Sequence, residues 1–248
     1  MAVCKAAKLY DEYWRGRDAR RTRARSESRA RLALELLGGV PELLPTSGRS
    51  LRLIEVGCGP GWALEAFAAA GYAARGLEVS REAAETARAR GLDVEEVDVE
   101  QSSPRGECDV LVLLEVLEHL VDPLGALRRL AGLLAPGGRV VASLPNEFHF
   151  IRRLGLLLGR APVGGHDDPH LHYFDDRLSR RLFTAAKMRV LGRLSDSVVP
   201  PRYSFLRRLT APATRLLPGL FALSNIYLLK PQGDRYRAED ASSRRRLR

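Results

Sequence analysis

Hydrophobic and polar positions follow two different rhythms along the chain. In residues 19–37, Ala30, Ala33, Leu34 and Leu37 recur at helical spacing, and Gly38, Gly39 and Pro41 end the run. The spacing predicts a helix there. Upstream, Tyr10, Tyr13 and Trp14 fall three to four residues apart. The plainer reading of that cluster is a helix anchored on the domain; the sharper one is a flap over a ligand pocket.

From residue 51 the rhythm shortens. Residues 51–56 are a brief apolar run ending in glycine-rich sequence, as a buried strand should. Next come a helix over 62–70, a strand over 72–79, a helix over 81–90 and a strand over 94–99. A strand over 109–114, a helix over 123–134 and a strand over 139–144 follow. Residues 109–114 are almost wholly apolar, the pattern of a strand covered on both faces. Strands alternating with helices predict a parallel sheet flanked by helices.

Beyond Pro145 the alternation loosens. Residues 146–174 read as an irregular excursion. Asp175 or Asp176 is placed to cap a helix reaching Ala186, and strands are expected over 188–195 and 225–229. Residues 205–223 set apolar side chains beside Arg207, Arg208 and Arg215, with Pro212 and Pro218 opposing one long helix. The boundaries expected are a helical flap over 1–45, one α/β domain over 46–230 and a disordered tail over 231–248. Residues 146–223 are expected to cover the substrate.

Composition narrows the picture. The chain has 248 residues, 45% of them hydrophobic, and a net charge of +10. These values suit a globular domain and exclude a wholly disordered chain. The charge suggests a polyanion partner, but 36 of the 40 basic residues are Arg, a bias that GC-rich coding also produces. The charge is also segregated: +5 over residues 1–50, −7 over 51–150 and +12 over 151–248. Cys4, Cys58 and Cys108 form neither a disulfide framework nor a zinc motif. Asp11, Glu12, Arg15 and Arg17 interrupt any signal-like stretch, and no apolar run is long enough to span a bilayer. The expected compartment is the cytoplasm.

The sharpest motif is Glu55-Val56-Gly57-Cys58-Gly59-Pro60-Gly61-Trp62, between a strand and a helix. Glycines let the backbone turn tightly and approach a ligand, and the helix start presents free N–H groups. The dinucleotide fingerprint needs a third glycine where Trp62 stands, and no Gly-Lys-Ser/Thr follows. Glu55, directly before the loop, suits a ligand with a cationic amino group better than a pyrophosphate. Glu78 and Asp98 are placed at the ends of the next two strands, where carboxylates can accept from ribose hydroxyls and an adenine amino group.

At this point the sequence resembles the class I S-adenosylmethionine-dependent methyltransferases. The resemblance rests on Leu-Ile-Glu-Val-Gly-Cys-Gly-Pro-Gly (53–61), Gly-Leu-Glu-Val-Ser (76–80), Val-Asp-Val-Glu (97–100), Glu-Val-Leu-Glu-His-Leu (115–120) and Leu-Ala-Pro-Gly-Gly (134–138). It implies a Rossmann-like seven-stranded α/β fold whose final strand is antiparallel, with S-adenosylmethionine as cofactor. By resemblance, Gly57, Gly59 and Gly61 line the methionine part, Glu55 sits near its amino end, Glu78 binds the ribose, Asp98 faces the adenine and Glu115 borders the sulfonium. An acidic surround favours a cationic sulfonium.

Within the family the chain resembles two groups. The MetW-like group shares sequence like Ser143-Leu144-Pro145-Asn146, Arg152-Arg153 and residues 157–163. The ubiquinone-biosynthesis O-methyltransferases share the Glu115–His119 run and Asp122-Pro123. The Asn/Asp-Pro-Pro-Tyr/Phe motif of many amino-directed methyltransferases is absent after the fourth strand, which by resemblance favours oxygen as the acceptor atom. The expected substrate is therefore a small molecule, with acidic character a weak hint from the basic flanks; nucleic acid is not expected.

His119 is the candidate general base, able to take a hydroxyl proton as the methyl arrives; the alternative is a packing or capping role. No metal is assigned. A competing reading is a metal-assisted RNA methyltransferase, because RNA-end enzymes have a similar Glu-x-x-Glu-His run: Glu115, Glu118 and His119 would be joined by His166, His170 or His172. A third is a non-enzymatic MetW-like regulatory partner. The Arg-rich flanks read as solvated surface, as an acidic-partner face or, over 205–223, as a peripheral membrane contact.

Overall fold

A computed structural model describes residues 3–46, 48–160, 170–199 and 203–232. Helices α1 (Val3–Arg15) and α2 (Ala19–Gly38) precede β1 (Arg52–Val56), α3 (Trp62–Ala69), β2 (Ala73–Glu78), α4 (Arg81–Ala89) and β3 (Asp93–Glu96). Then come β4 (Cys108–Leu114), α5 (Pro123–Ala131), β5 (Leu134–Pro145), α6 (Phe150–Leu157), α7 (Asp176–Ala185) and β6 (Met188–Ser197). The last elements are α8 (Ser204–Leu216), α9 (Pro218–Phe221) and β7 (Ala222–Pro231).

One seven-stranded sheet runs in the order β3-β2-β1-β4-β5-β7-β6. The five strands β1 to β5 pair in parallel, while β7 is antiparallel to both β5 and β6. The expected seven strands and antiparallel last strand are therefore present.

Successive strand residues feed opposite faces, as the period of two requires. Val110 and Val112 join Ala30, Ala33, Leu37 and Phe67 on one side. Leu111 and Leu113 join Leu127, Leu130 and Phe183 on the other. Helix α2 packs on α3, β6 and β7, and α5 packs on α7. The side chains of Asp18, Ser80, Asp122 and Asp175 cap the starts of α2, α4, α5 and α7, each satisfying backbone donors that have no partner within the helix.

The structure differs from the pattern reading at several places. Strand β3 ends at Glu96, two residues short of Asp98, whose carboxylate caps the following turn through Glu100 N at 2.9 Å. Helix α5 stops at Ala131. Cys108 N donates to Leu133 O and Leu134 already pairs with Cys108, so 134–138 belong to an irregular first part of β5. The excursion after Pro145 contains α6, which buries none of its residues. Its apolar positions Phe150, Ile151, Leu154 and Leu157 recur at helical spacing, a short run that the pattern reading passed over. The expected tail, except for Pro231 and Gln232, lies outside the described residues, as does His166.

Among the described residues no helix is long and apolar enough to cross a membrane. Cys58 and Cys108 are buried free thiols.

Candidate active site

The sheet order reverses between β1 and β4, and ligands of such sheets sit beyond the carboxyl ends of strands at that point. A cavity of about 930 Å³ opens there. Its floor includes Glu55, Gly57, Leu114, Glu115 and Pro145, and its walls include Tyr13 and Trp14 of α1 and one face of α2.

The glycine loop is shaped by left-handed backbone. Gly57, Gly59 and Gly61 have φ of +65°, +53° and +83°, a region that L side chains rarely adopt. Gly57 N donates to Leu77 O at 2.7 Å, and Gly61 N closes a turn on Cys58 O at 3.0 Å. The loop is thereby tied to β2 before α3 begins.

Four acids respond differently to their surroundings. Glu55 is 2% exposed, and its Oε2 has no hydrogen-bond partner. Burial first, and then the charge of Glu78, push its carboxyl well above the usual range. Glu78 is also buried. It accepts from Gly59 N at 2.7 Å and from Ser80 N at 2.9 Å. Burial raises its pKa, against the lowering effect of those amides. Glu115 stands at the end of β4 with φ of +57°, an uncommon conformation for a residue with a side chain. Its carboxylate accepts from Ser143 Oγ at 2.9 Å and from Arg29 Nη2 at 2.9 Å. Asp98 accepts from Glu100 N and Gln101 Nε2.

His119 lies at the cavity wall, its ring flanked by those of Tyr10, Tyr13 and His170, the last with centroids 4.7 Å apart. Two backbone bridges bring His170 there. Leu171 N and His172 N donate to Glu118 O at 2.9 and 3.1 Å, and Glu147 N donates to Phe174 O at 3.1 Å. Glu147, 1% exposed, is ion-paired with Arg152 and lies 3.1 Å from His170 Nδ1.

Glu118 is fully buried, and neither carboxylate oxygen has a hydrogen-bond partner. Burial first and then Glu115 hold its carboxyl well above the usual range. Among the described residues, ligand atoms of Glu118, His119 and His170 lie within 4.8 Å of one another. Carboxylate plus two imidazoles is a donor set suited to several divalent ions.

Of the residues singled out from sequence, Glu55, Gly57, Glu115 and His119 line the cavity together; Gly59, Gly61, Glu78 and Asp98 do not. Helix α1 accounts for part of this. Its Asp11 accepts from Ser80 Oγ at 2.5 Å beside Glu78, and its Trp14 lies over Gly59. Both readings of the aromatic cluster meet here, since α1 is anchored on α4 and also walls the cavity. Arg29 and Glu147 escaped the sequence reading, and Arg152 entered it only as part of the MetW-like stretch. Arg29 is one of many arginines, and Glu147 follows immediately after the Ser143–Asn146 motif without a pattern of its own.

The residues fit an S-adenosylmethionine site at one point above all. The partnerless oxygen of buried Glu55, beside the glycine loop, matches a cationic amino group.

A family model described as a methyltransferase domain matches residues 27–191. Among characterised proteins, the chain is 33% identical over 144 residues to the ubiquinone biosynthesis O-methyltransferase of Ralstonia nicotianae, covering 53% of this chain and 60% of that one. It is 34% identical over 129 residues to the protein of that name from Alkalilimnicola ehrlichii, covering 47% and 52%. The chain thus spans only about half to three-fifths of the length of these two relatives.

Among solved structures it resembles a possible histamine N-methyltransferase from Thermotoga maritima, with a TM-score of 0.60, 17% identity and coverage of 91% and 99%. It also resembles a magnesium protoporphyrin IX methyltransferase from Synechocystis with bound S-adenosylhomocysteine, with a TM-score of 0.57, 15% identity and coverage of 84% of each chain. Identities this low speak to the fold alone. Sheet order, glycine loop and family match agree: the chain belongs to the methyltransferase domain family, among the class I S-adenosylmethionine-dependent methyltransferases.

Proposed function

We propose that this chain methylates an oxygen atom of a small-molecule acceptor. The observation that carries the reading is that Glu55, Gly57, Glu115 and His119 line one cavity. Bound S-adenosylmethionine supplies an electrophilic methyl group on a cationic sulfonium. Glu55 receives the amino group, the glycine loop admits the chain of the ligand, and Glu115 favours the positive sulfur. Glu78 and Asp98 serve the ribose and adenine, and binding at those residues requires α1 to yield part of its contact.

His119 takes the hydroxyl proton of the acceptor. General bases of this kind contribute about 10²–10⁴-fold, and holding the acceptor in line supplies more. The names of the two relatives support oxygen as the acceptor atom. Asn146, Glu147, Arg152 and His170, which line the cavity, face the acceptor. The buried free thiols agree with a reducing cytoplasm.

A second reading is metal-assisted transfer, in which Glu118, His119 and His170 hold a divalent ion, with RNA ends among the acceptors. The grouping of these side chains and the partnerless oxygens of Glu118 favour it. Calorimetry with S-adenosylhomocysteine tests the cofactor claim, and absence of binding ends it. Methyl transfer to catechol, with and without a chelator, separates the two readings: chelator-resistant turnover supports proton transfer to His119, and chelator-sensitive turnover supports the metal.

A further inference from the structure

We infer that the acceptor carries an oxyanion, a phosphate or carboxylate group, received by a row of arginines on α2. This rests on the methyl-transfer reading and names the chemistry of the substrate. Arg21, Arg25 and Arg29 recur every fourth residue, so they share one helix face, and all three line the cavity. Arg17, just before the helix, lines it as well.

The partners of these arginines set the cavity face apart from the rest of α2. On another face, exposed Arg23 pairs with Glu27 at 2.7 Å, the ordinary i,i+4 arrangement. On the cavity face, Arg29 is held by Glu115 at 2.9 Å. Among the described residues no ion pair joins Arg21 or Arg25 to a carboxylate. Arg17 stacks on the Tyr13 ring, 4.0 Å from its centroid.

The lining carboxylates are already engaged or distant in role. Asp18 is occupied by the amides of Arg20 and Arg21, and Glu147 by Arg152. Glu55 sits beside the glycine loop, where the cofactor's amino group is received, and the remaining acid, Glu12, is exposed. Repulsion from Arg21, Arg29 and Arg17 adds to the burial that lowers the pKa of Arg25. Like charges four residues apart disfavour the helix, and an anion between them removes that repulsion. The planar guanidinium matches both phosphate and carboxylate through paired N–H donors.

The test measures binding of pyrophosphate and of succinate to the full chain saturated with S-adenosylhomocysteine, so that the cofactor's own carboxylate is already seated. Wild type is compared with Arg21→Gln/Arg25→Gln and with Arg23→Gln. We expect at least one probe to bind wild type and Arg23→Gln alike, and to bind the double variant at least about tenfold more weakly. Preference between the probes tells a phosphate from a carboxylate acceptor. All three proteins are expected to melt alike. The inference is overturned if neither probe binds wild type, or if Arg23→Gln loses as much as the double variant. It is also overturned if the double variant loses affinity for S-adenosylhomocysteine, since the arginines then serve the cofactor. Failure of wild type to bind S-adenosylhomocysteine at all is a different result, and it refutes the methyl-transfer reading itself.

Discussion

Trp14 lies directly over Gly59: a Cβ built on the glycine would come 2.5 Å from Trp14 Cζ2. The same glycine has φ of +53° and donates its N–H to Glu78. An N-terminal helix remote in sequence is thereby seated on the glycine loop, and Trp14 also meets Trp62 edge-on with centroids 6.2 Å apart. Gly59→Ala meets two obstacles at once, a disfavoured backbone region and an indole ring. The expected cost is about 1–3 kcal/mol of stability, with loss of S-adenosylhomocysteine binding. Thermal melts and calorimetry check both, and an alanine variant that melts and binds like wild type refutes this account of the loop.

Glu55 gives the cavity floor a pH-dependent stability. Its folded-state pKa is raised, first by burial and then by Glu78. A carboxyl raised in this way favours the folded state at low pH. That advantage is lost as pH climbs from the ordinary value of 4.5 through the folded one. Glu55→Gln removes the titration. The variant should therefore gain on wild type as pH rises above 4.5. Its affinity for S-adenosylhomocysteine should fall about tenfold at neutral pH, because the amino group loses its anion. Denaturant melts across that pH range read the first effect; parallel slopes for the two proteins would contradict it.

Asp196 is 3% exposed and is met by Arg207 of α8 and by Ser28 Oγ of α2 at 3.2 Å. This cluster joins α2 to α8 across β6. Arg207→Met leaves the buried carboxylate with the hydroxyl as its remaining side-chain donor. Breaking such a pair costs about 3–5 kcal/mol. Asp196→Asn/Arg207→Met should recover a large part of the loss, because the uncompensated charge is gone. Urea titration of the three proteins checks this, and a single variant as stable as wild type disproves it.

His119 is expected to act on the acceptor and not on the cofactor. With His119→Gln, methyl transfer to catechol should fall about 100-fold in kcat, while calorimetric affinity for S-adenosylhomocysteine stays within about twofold of wild type. An equal loss in both measurements would make His119 a packing residue, held among Tyr10, Tyr13 and His170.

The sequence by itself determined the sheet and the place of the glycine loop. Both depend on local periodicity and on glycines whose backbone role is written in the residue type. The run 109–114 reads as a buried strand because, after Asp109, every side chain on both faces is apolar, and β4 is such a strand. The four acids Glu55, Glu78, Asp98 and Glu115 were legible as a group for the same reason, since each follows or ends a recognisable run. Helix α6 was not, because its apolar spacing lasts only from Phe150 to Leu157, too short a run to stand out from an irregular stretch.

Only the tertiary structure decided which side chains meet. Arg29 reaches Glu115 across 86 positions, and Trp14 reaches Gly59 across 45. His170 reaches His119 because two backbone amides dock on Glu118 O. These are contacts between segments far apart in sequence, and no local period records them. The arginines show the difference most clearly. Counted along the chain they are a compositional bias. In space, Arg23 is paired and Arg21 and Arg25 face a cavity, because a helix turns successive residues to different neighbours.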